Sequence, residues 1–288
     1  MATVQQWISG ARPRTLPAAF TPVAVGTGAA FPTPRFATAG LALVIALALQ
    51  VGVNYANDYS DGIKGTDDNR VGPFRLVGSK AATPKSVLAA ALISFLIAVF
   101  AGLALAVMIT WWLVPIGIAA IAAAWGYTGG AKPYGYRALG ELSVFVFFGL
   151  VAVVGTYYVQ REYLNWWVVL ASLPVGLLAC ALLTVNNLRD IPSDRLAGKR
   201  TLAVVLDDQK TRSLYYGLIA LAYFSALALS TWRAGAALAL LTTALLVDPL
   251  RKVRLGAKGK ELIQVLVATA RIQLLFGILL AMGLAVTG

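Results

Sequence analysis

Histidine is absent from this chain of 288 residues, and cysteine occurs once, at Cys180. Without imidazole there is no His-ligated zinc site, no Ser-His-Asp triad and no imidazole proton shuttle. A single cysteine excludes an intrachain disulfide, a CxxC redox pair and an iron–sulfur cluster. Cys180 lies between Ala179 and Ala181 in an apolar run, where a thiol serves as a small core hydrophobe. Charge is scarce as well: 12% of residues are Asp, Glu, Lys or Arg, against about 25% in average soluble domains. Acids are the scarcer sign, 12 against 24 bases.

Apolar residues fill the space, 59% of the chain, with a mean hydropathy of +0.76. That excludes a disordered chain and argues against a soluble globular fold. At about 20 residues per crossing, the length holds roughly eight to ten crossings and no separate soluble domain. Apolar runs bounded by charge or turn residues give nine candidate spans, at 15–32, 38–56, 87–110, 111–128, 139–159, 165–187, 213–231, 234–248 and 265–286. The expected fold is therefore an all-α polytopic membrane protein, a nine-transmembrane-helix bundle forming one domain over 1–288.

The bases set its direction. Of the 24, all but Arg35, Arg161, Arg233 and Arg271 fall on one side of this arrangement. Such a bias places that side, with the N-terminus, in the cytoplasm and the C-terminus outside. The net charge of +12 then belongs to a cytoplasmic rim and needs no nucleic-acid partner. The outer connections are tight turns, flanked by Trp111, Trp112, Trp166, Trp167 and Trp232 as an interfacial belt. The cytoplasmic stretches at about 57–86 and 188–212 are long and Asp-rich, and are expected to form a cap. The order of long and short loops suggests two parallel four-span repeats and a ninth helix.

The second and sixth spans run into these acidic stretches. If the helices continue, Asn57 and Asp61 share one face, and Asn186, Asp190 and Asp194 form an i, i+4, i+8 stripe at the same depth. Clustered carboxylates near lipid repel one another and call for a counter-cation. With only oxygen donors nearby, a hard ion fits, Mg²⁺ (or Mn²⁺) rather than zinc. Mg²⁺ held by carboxylates usually completes its shell with substrate phosphates. Lys64, Arg70, Arg75, Arg189, Lys199 and Arg200 offer cations for the same anion. The loop from Tyr127 to Arg137 is rich in glycine and tyrosine. Its tyrosine faces could stabilise a developing carbocation, and Arg137 could hold an anionic group. Glu141, just inside the fifth span, is expected to face the bundle.

At these residues the sequence resembles the UbiA superfamily of intramembrane aromatic prenyltransferases. The stretches Asn57 to Asp68, Arg70 to Lys80, Gly126 to Glu141 and Asn186 to Ala203 are similar to the branch that prenylates 1,4-dihydroxy-2-naphthoate for menaquinone. The resemblance covers nearly the whole chain. It implies transfer of a polyprenyl group from its diphosphate to that ring, with loss of diphosphate and CO₂. It also implies Mg²⁺ on Asp58, Asp61, Asp67, Asp190 and Asp194, with Asp61, Asp190 and Asp194 catalytic. Asn57, Lys64, Arg70, Asn186, Arg189 and Lys199 would bind diphosphate, and Tyr134 and Arg137 the aromatic acceptor. The expected location is the inner (plasma) membrane, with lipid around the chain and the active site toward the cytoplasm. One departure is that the general NxxxDxxxD spacing, counted from Asn57 and Asp61, reaches Gly65, so the completing carboxylate of the first motif is open.

Three other readings compete. Another UbiA-type aromatic prenyltransferase would share every motif. A CDP-alcohol phosphotransferase would share the opening from Asp58 to Gly62, but should continue Ala-Arg where Gly65-Thr66 stands. A secondary transporter would place ionisable groups mid-bilayer, whereas these span centres are nearly uncharged.

Overall fold

The computed structural model describes residues 2–65, 74–130 and 132–287. Every expected apolar stretch is helical. After a short helix α1 (Val4–Gly10), opened by a Thr3/Gln6 capping box, come α2 (Pro17–Ala29), α3 (Phe36–Ile63), α4 (Pro84–Met108) and α5 (Leu113–Gly126). The second half holds α6 (Gly140–Arg161), α7 (Trp166–Leu196), α8 (Leu202–Ser230), α9 (Ala234–Arg254) and α10 (Lys260–Val286). Seven of these, α3, α4 and α6 to α10, are long and apolar enough to cross a membrane. The expected first and fourth spans are the shorter helices α2 and α5, of 13 and 14 residues. At 1.5 Å per residue each covers roughly 20 Å, less than the roughly 30 Å hydrocarbon core.

The eighth stretch, with few apolar residues, reaches spanning length by winding tightly. Residues Ala234–Leu246 form a 3₁₀ helix, and at about 2.0 Å per residue a 13-residue run covers roughly 26 Å. Both Asp-bearing helices outrun their apolar segments: α3 continues to Ile63 and α7 to Leu196. The acidic residues expected at the start of two loops thus stand on helix, and their stripes are real faces.

Packing centres on α7. Of its most apolar window 78% is buried, against 28% for α3, and its side chains from Val168 to Ile191 form much of the main core. The sequential pairs α3–α4 and α7–α8 pack along their length, in matching positions of the two halves that loop lengths suggest, while α10 bridges α2, α7 and α9. Without a hydrophobic drive between helices in lipid, close approach relies on small residues. At Gly149 a Cβ would stand 2.7 Å from the Gly176 Cα, so only glycine lets α6 lie this near α7. Gly149 falls in a π-helical stretch of α6, Phe145–Val151, whose wider turn carries Phe147 and Phe148 into the central cavity.

Of the expected belt, Trp111, Trp112, Trp166 and Trp232 are exposed as anticipated, but Trp167 is 6% exposed. It packs edge-on against Tyr157, with the Arg233 guanidinium 4.3 Å over its ring. Adjacent helix positions point about 100° apart, and on α7, which is mostly enclosed by protein, Trp167 takes the inward position.

Candidate active site

A cavity of about 720 Å³ runs between α3, α4, α5, α6 and α7 and the N-terminal turn at 11–15. Its far end is apolar, walled by Leu49, Leu105, Ile116, Ala120, Phe148 and Val151. Helix α5 has no buried residue, because its inward face borders this space instead of protein. The other end is polar. There Asn57 and Asp61 on α3 meet Asn186, Arg189, Asp190 and Asp194 on α7, with Arg75, Tyr136 and Lys199 contributed by connections.

The polar wall of α3 continues deeper. Gln50, Asn54, Asn57 and Asp61 follow helical spacing, and all four line the cavity. Gln50 donates to the Thr15 hydroxyl at 3.0 Å, and Asn54 donates to the Ala11 carbonyl at 2.9 Å. These bonds fasten the turn before α2 onto α3. Sequence reasoning passed over Gln50 and Asn54, although their spacing from Asn57 was the available signal.

Asp61 is the hub of the polar end. Buried to 3% exposure, it accepts from the Lys199 ammonium at 2.8 Å, the Tyr136 hydroxyl at 2.6 Å and Arg75 at 3.5 Å. The Tyr136 ring also lies 4.9 Å from the ammonium groups of both Lys64 and Lys199. A backbone bridge holds this assembly: Arg200 N–H donates to the Tyr136 carbonyl, and Ala138 N–H donates to the Arg200 carbonyl. On α7 one set of bonds is local. Arg189 folds over its neighbour and grips Asp190 through two donors, at 2.7 and 2.8 Å, and donates to Asn186 at 2.9 Å. Asp194 stands 3.9 Å from Lys199, which thereby spans the two motifs.

Three expected site residues lie elsewhere. Asp58 is 1% exposed and does not line the cavity. Its two oxygens accept the backbone N–H groups of Leu76 and Val77 at 2.7 and 3.0 Å. It anchors the segment carrying Arg75 and faces away from the cavity that Asp61, Asp190 and Asp194 line. Asp58 follows Asn57 directly and points about 100° round the helix from it, whereas Asn57 and Asp61, four apart, share the cavity face. Lys64 is outside the cavity wall, donating to the Thr128 carbonyl at 3.3 Å. Desolvation holds its ammonium below the ordinary lysine value, with Asp61 pulling it up and Lys199 pushing it down. Arg137 is exposed and does not line the cavity either, its backbone being part of the bridged turn. Tyr134 does line it, with a hydroxyl that donates to the Ala123 carbonyl at 2.7 Å. Burial raises that phenol above its ordinary value, and the bond with Ser143 acts the other way. Asp67 and Arg70 lie outside the described residues.

The donors facing the cavity from α3 and α7 are carboxylate and amide oxygens, which suits a hard divalent ion. Among the described residues no three acidic side chains form a ready-made cluster. Instead Asp61 and Asp190 are already engaged by Arg75, Lys199 and Arg189.

The sequence profile of the UbiA prenyltransferase family matches residues 15–261. A 1,4-dihydroxy-2-naphthoate octaprenyltransferase of Mycobacterium tuberculosis is 50% identical over 99% of this chain and 98% of its own. The enzyme of that name from Escherichia coli is 39% identical over 81% of this chain and 80% of its own. In three dimensions the chain resembles a UbiA homolog from Archaeoglobus fulgidus bound to GPP and Mg²⁺ (TM-score 0.69, 12% identity, 96% of this chain and 99% of that one).

Proposed function

The chain belongs to the UbiA prenyltransferase family, and from that premise we propose that it transfers a polyprenyl group from polyprenyl diphosphate to 1,4-dihydroxy-2-naphthoate. Diphosphate and CO₂ leave, and the product is a demethylmenaquinol, the two-electron-reduced form of a demethylmenaquinone. The observation that carries this reading is one cavity whose polar end gathers acids and bases from α3 and α7 and whose other end is apolar. The diphosphate belongs at the polar end and the tail along Leu49, Leu105, Ile116 and Phe148.

Asp61, Asp190 and Asp194 would hold Mg²⁺, with Asn57 and Asn186 beside them. That ion, when bound, supplies charge for the leaving diphosphate. Arg75, Arg189 and Lys199 are the cations available to phosphate oxygens, and they reach them by loosening their hold on the carboxylates. Positively charged donors aimed at the leaving group act strongly in a buried site. Tyr134 and Tyr136 present aromatic faces to the cationic allyl group, and the apolar walls keep water from it.

The basic side of the bundle is assigned to the cytoplasm, with the N-terminus there, the C-terminus outside and the site facing the cytoplasm of the inner membrane. The chain then works as one transmembrane domain capped by the segments after α3 and α7. Cysteines replacing Lys258 and Val286 should label from opposite sides, and labelling from one side would refute that orientation.

The deciding assay uses purified full-length protein with Mg²⁺, dihydroxynaphthoate and prenyl diphosphates of several lengths, with products read by mass. The expected product has gained the prenyl group and lost CO₂, and excess chelator abolishes it. No product at any length would overturn the function, and full turnover in chelator would overturn the metal.

A further inference from the structure

Glu141 is a carboxyl 8% exposed, in the first turn of α6. Such a group is costly near lipid unless it is paired or used. Its Oε1 accepts from Asn187 Nδ2 at 3.0 Å, and its Oε2 has no hydrogen-bond partner among the described residues. Asn187, 6% exposed, lies on α7 one turn before Asp190 and lines the cavity. The Asn187 amide thus turns its nitrogen toward Glu141. Its carbonyl oxygen is then the end left for the cavity. Without Glu141 the amide could turn over and offer a donor instead. The same corner has an aromatic wall: Tyr127 lines the cavity, and its hydroxyl sits 3.2 Å from where a Cβ on Gly140 would be.

We propose that Asn187 Oδ1 accepts a hydrogen bond from a ring hydroxyl of the aromatic acceptor, and that Glu141 is the positioning residue that keeps this oxygen turned toward the cavity. The inference rests on the acceptor assigned above. Dihydroxynaphthoate carries two hydroxyl donors, and its carboxylate, which accepts only, gains nothing from a carbonyl oxygen. A bond from the hydroxyl leaves more electron density on the ring that attacks the allyl group, and it fixes which ring carbon faces that group. A pocket built to accept from a hydroxyl discriminates strongly against an analogue lacking it, because the buried acceptor is then left unpaired.

The test separates the two substrates. In Asn187→Leu and Glu141→Leu, KM for dihydroxynaphthoate should rise about tenfold, the loss expected for one such bond. KM for polyprenyl diphosphate should stay within about twofold. Glu141→Gln should stay near wild type, because its side-chain carbonyl still accepts from Asn187. The mono-methyl ethers of the acceptor give the second readout. At least one should be a poor substrate for wild type, and Asn187→Leu should no longer distinguish it from the parent. Should Asn187→Leu fail to fold, Asn187→Ser supports the same comparison. A parallel rise in both KM values, a fall in kcat alone, or undiminished discrimination by the variant overturns the proposal. Absence of wild-type turnover on dihydroxynaphthoate overturns the assigned function itself, and this inference with it.

Discussion

The two Asp-bearing helix ends occupy corresponding places in the two halves, yet they are built differently. On α7 the carboxylate is held by its own neighbour, Arg189, within a helix whose surroundings are mostly protein. On α3 the carboxylate of Asp61 is held by Arg75, Tyr136 and Lys199, groups 14, 75 and 138 positions away in the chain. The Arg189 grip on Asp190 is preformed by local sequence. The Asp61 end is assembled only when three connections close over it. That division suits a site that must admit a long substrate: α7 supplies a fixed reference, and the α3 side carries parts that can rearrange.

The comparison breaks most sharply at the carboxylates themselves. Asp61→Asn and Asp190→Asn should each lower turnover at least about a hundredfold, since each removes charge from the diphosphate end. Thermal stability should separate them. Asp61→Asn leaves Lys199 and Arg75, both 8% exposed, without their shared anion, and breaking a buried pair is destabilising. Asp190→Asn leaves Arg189 still bonded to Asn186. We expect the larger fall in Tm for Asp61→Asn. Equal falls would mean that the two ends are equivalent after all.

Asp58 sharpens the contrast within α3. Asp58→Ala removes the acceptor of two backbone N–H groups, those of Leu76 and Val77. Bonds to a charged acceptor contribute about 1.5–3 kcal/mol each, so the variant should unfold several degrees lower. Enzyme that remains folded should keep turnover within about tenfold, through the loosened Arg75 segment. A collapse of turnover at unchanged Tm would return Asp58 to the metal site.

These expectations show where the sequence was readable. The seven long apolar helices follow from hydropathy, and the α7 stripe from i, i+4 spacing, because both are local. The polar run Gln50, Asn54, Asn57, Asp61 carried the same kind of signal, and it names the cavity face of α3. Asp58 beside Asp61 was ambiguous, because composition does not say which of two nearby acids points inward. That Tyr136, Arg75 and Lys199 meet at Asp61 is a tertiary fact, produced by the bridge between Tyr136 and Arg200. The lengths of α2 and α5 were also hidden, since apolar turns and apolar helix share one hydropathy.

A smaller effect is expected where Tyr136 meets Asp61. Tyr136→Phe keeps the ring between Lys64 and Lys199 and removes only the hydroxyl that donates to the carboxylate. Turnover should fall about three- to tenfold, less than the full worth of a bond to a charged acceptor, because Asp61 keeps Lys199 and Arg75. Tyr136→Leu, which also removes the aromatic face, should lose more. Equal losses in the two variants would leave the ring without a part in the reaction.

The smallest effect tests the acceptor side of the same loop. Charge and spacing made Arg137 the natural cation for the acceptor carboxylate, since Arg can grip it with two parallel hydrogen bonds. The fold instead leaves Arg137 exposed, outside the cavity, with its backbone in the turn that Arg200 bridges. A side chain in that place feels solvent more than substrate, and exposed charges contribute little. Arg137→Ala should therefore leave KM for dihydroxynaphthoate within about twofold of wild type, since backbone bonds keep the turn. Arg75→Ala, which removes a buried cavity-lining cation, should raise KM for the prenyl diphosphate far more. The opposite pattern, with acceptor KM rising tenfold or more in Arg137→Ala alone, would mean that the loop closes further over bound substrate and carries Arg137 inward.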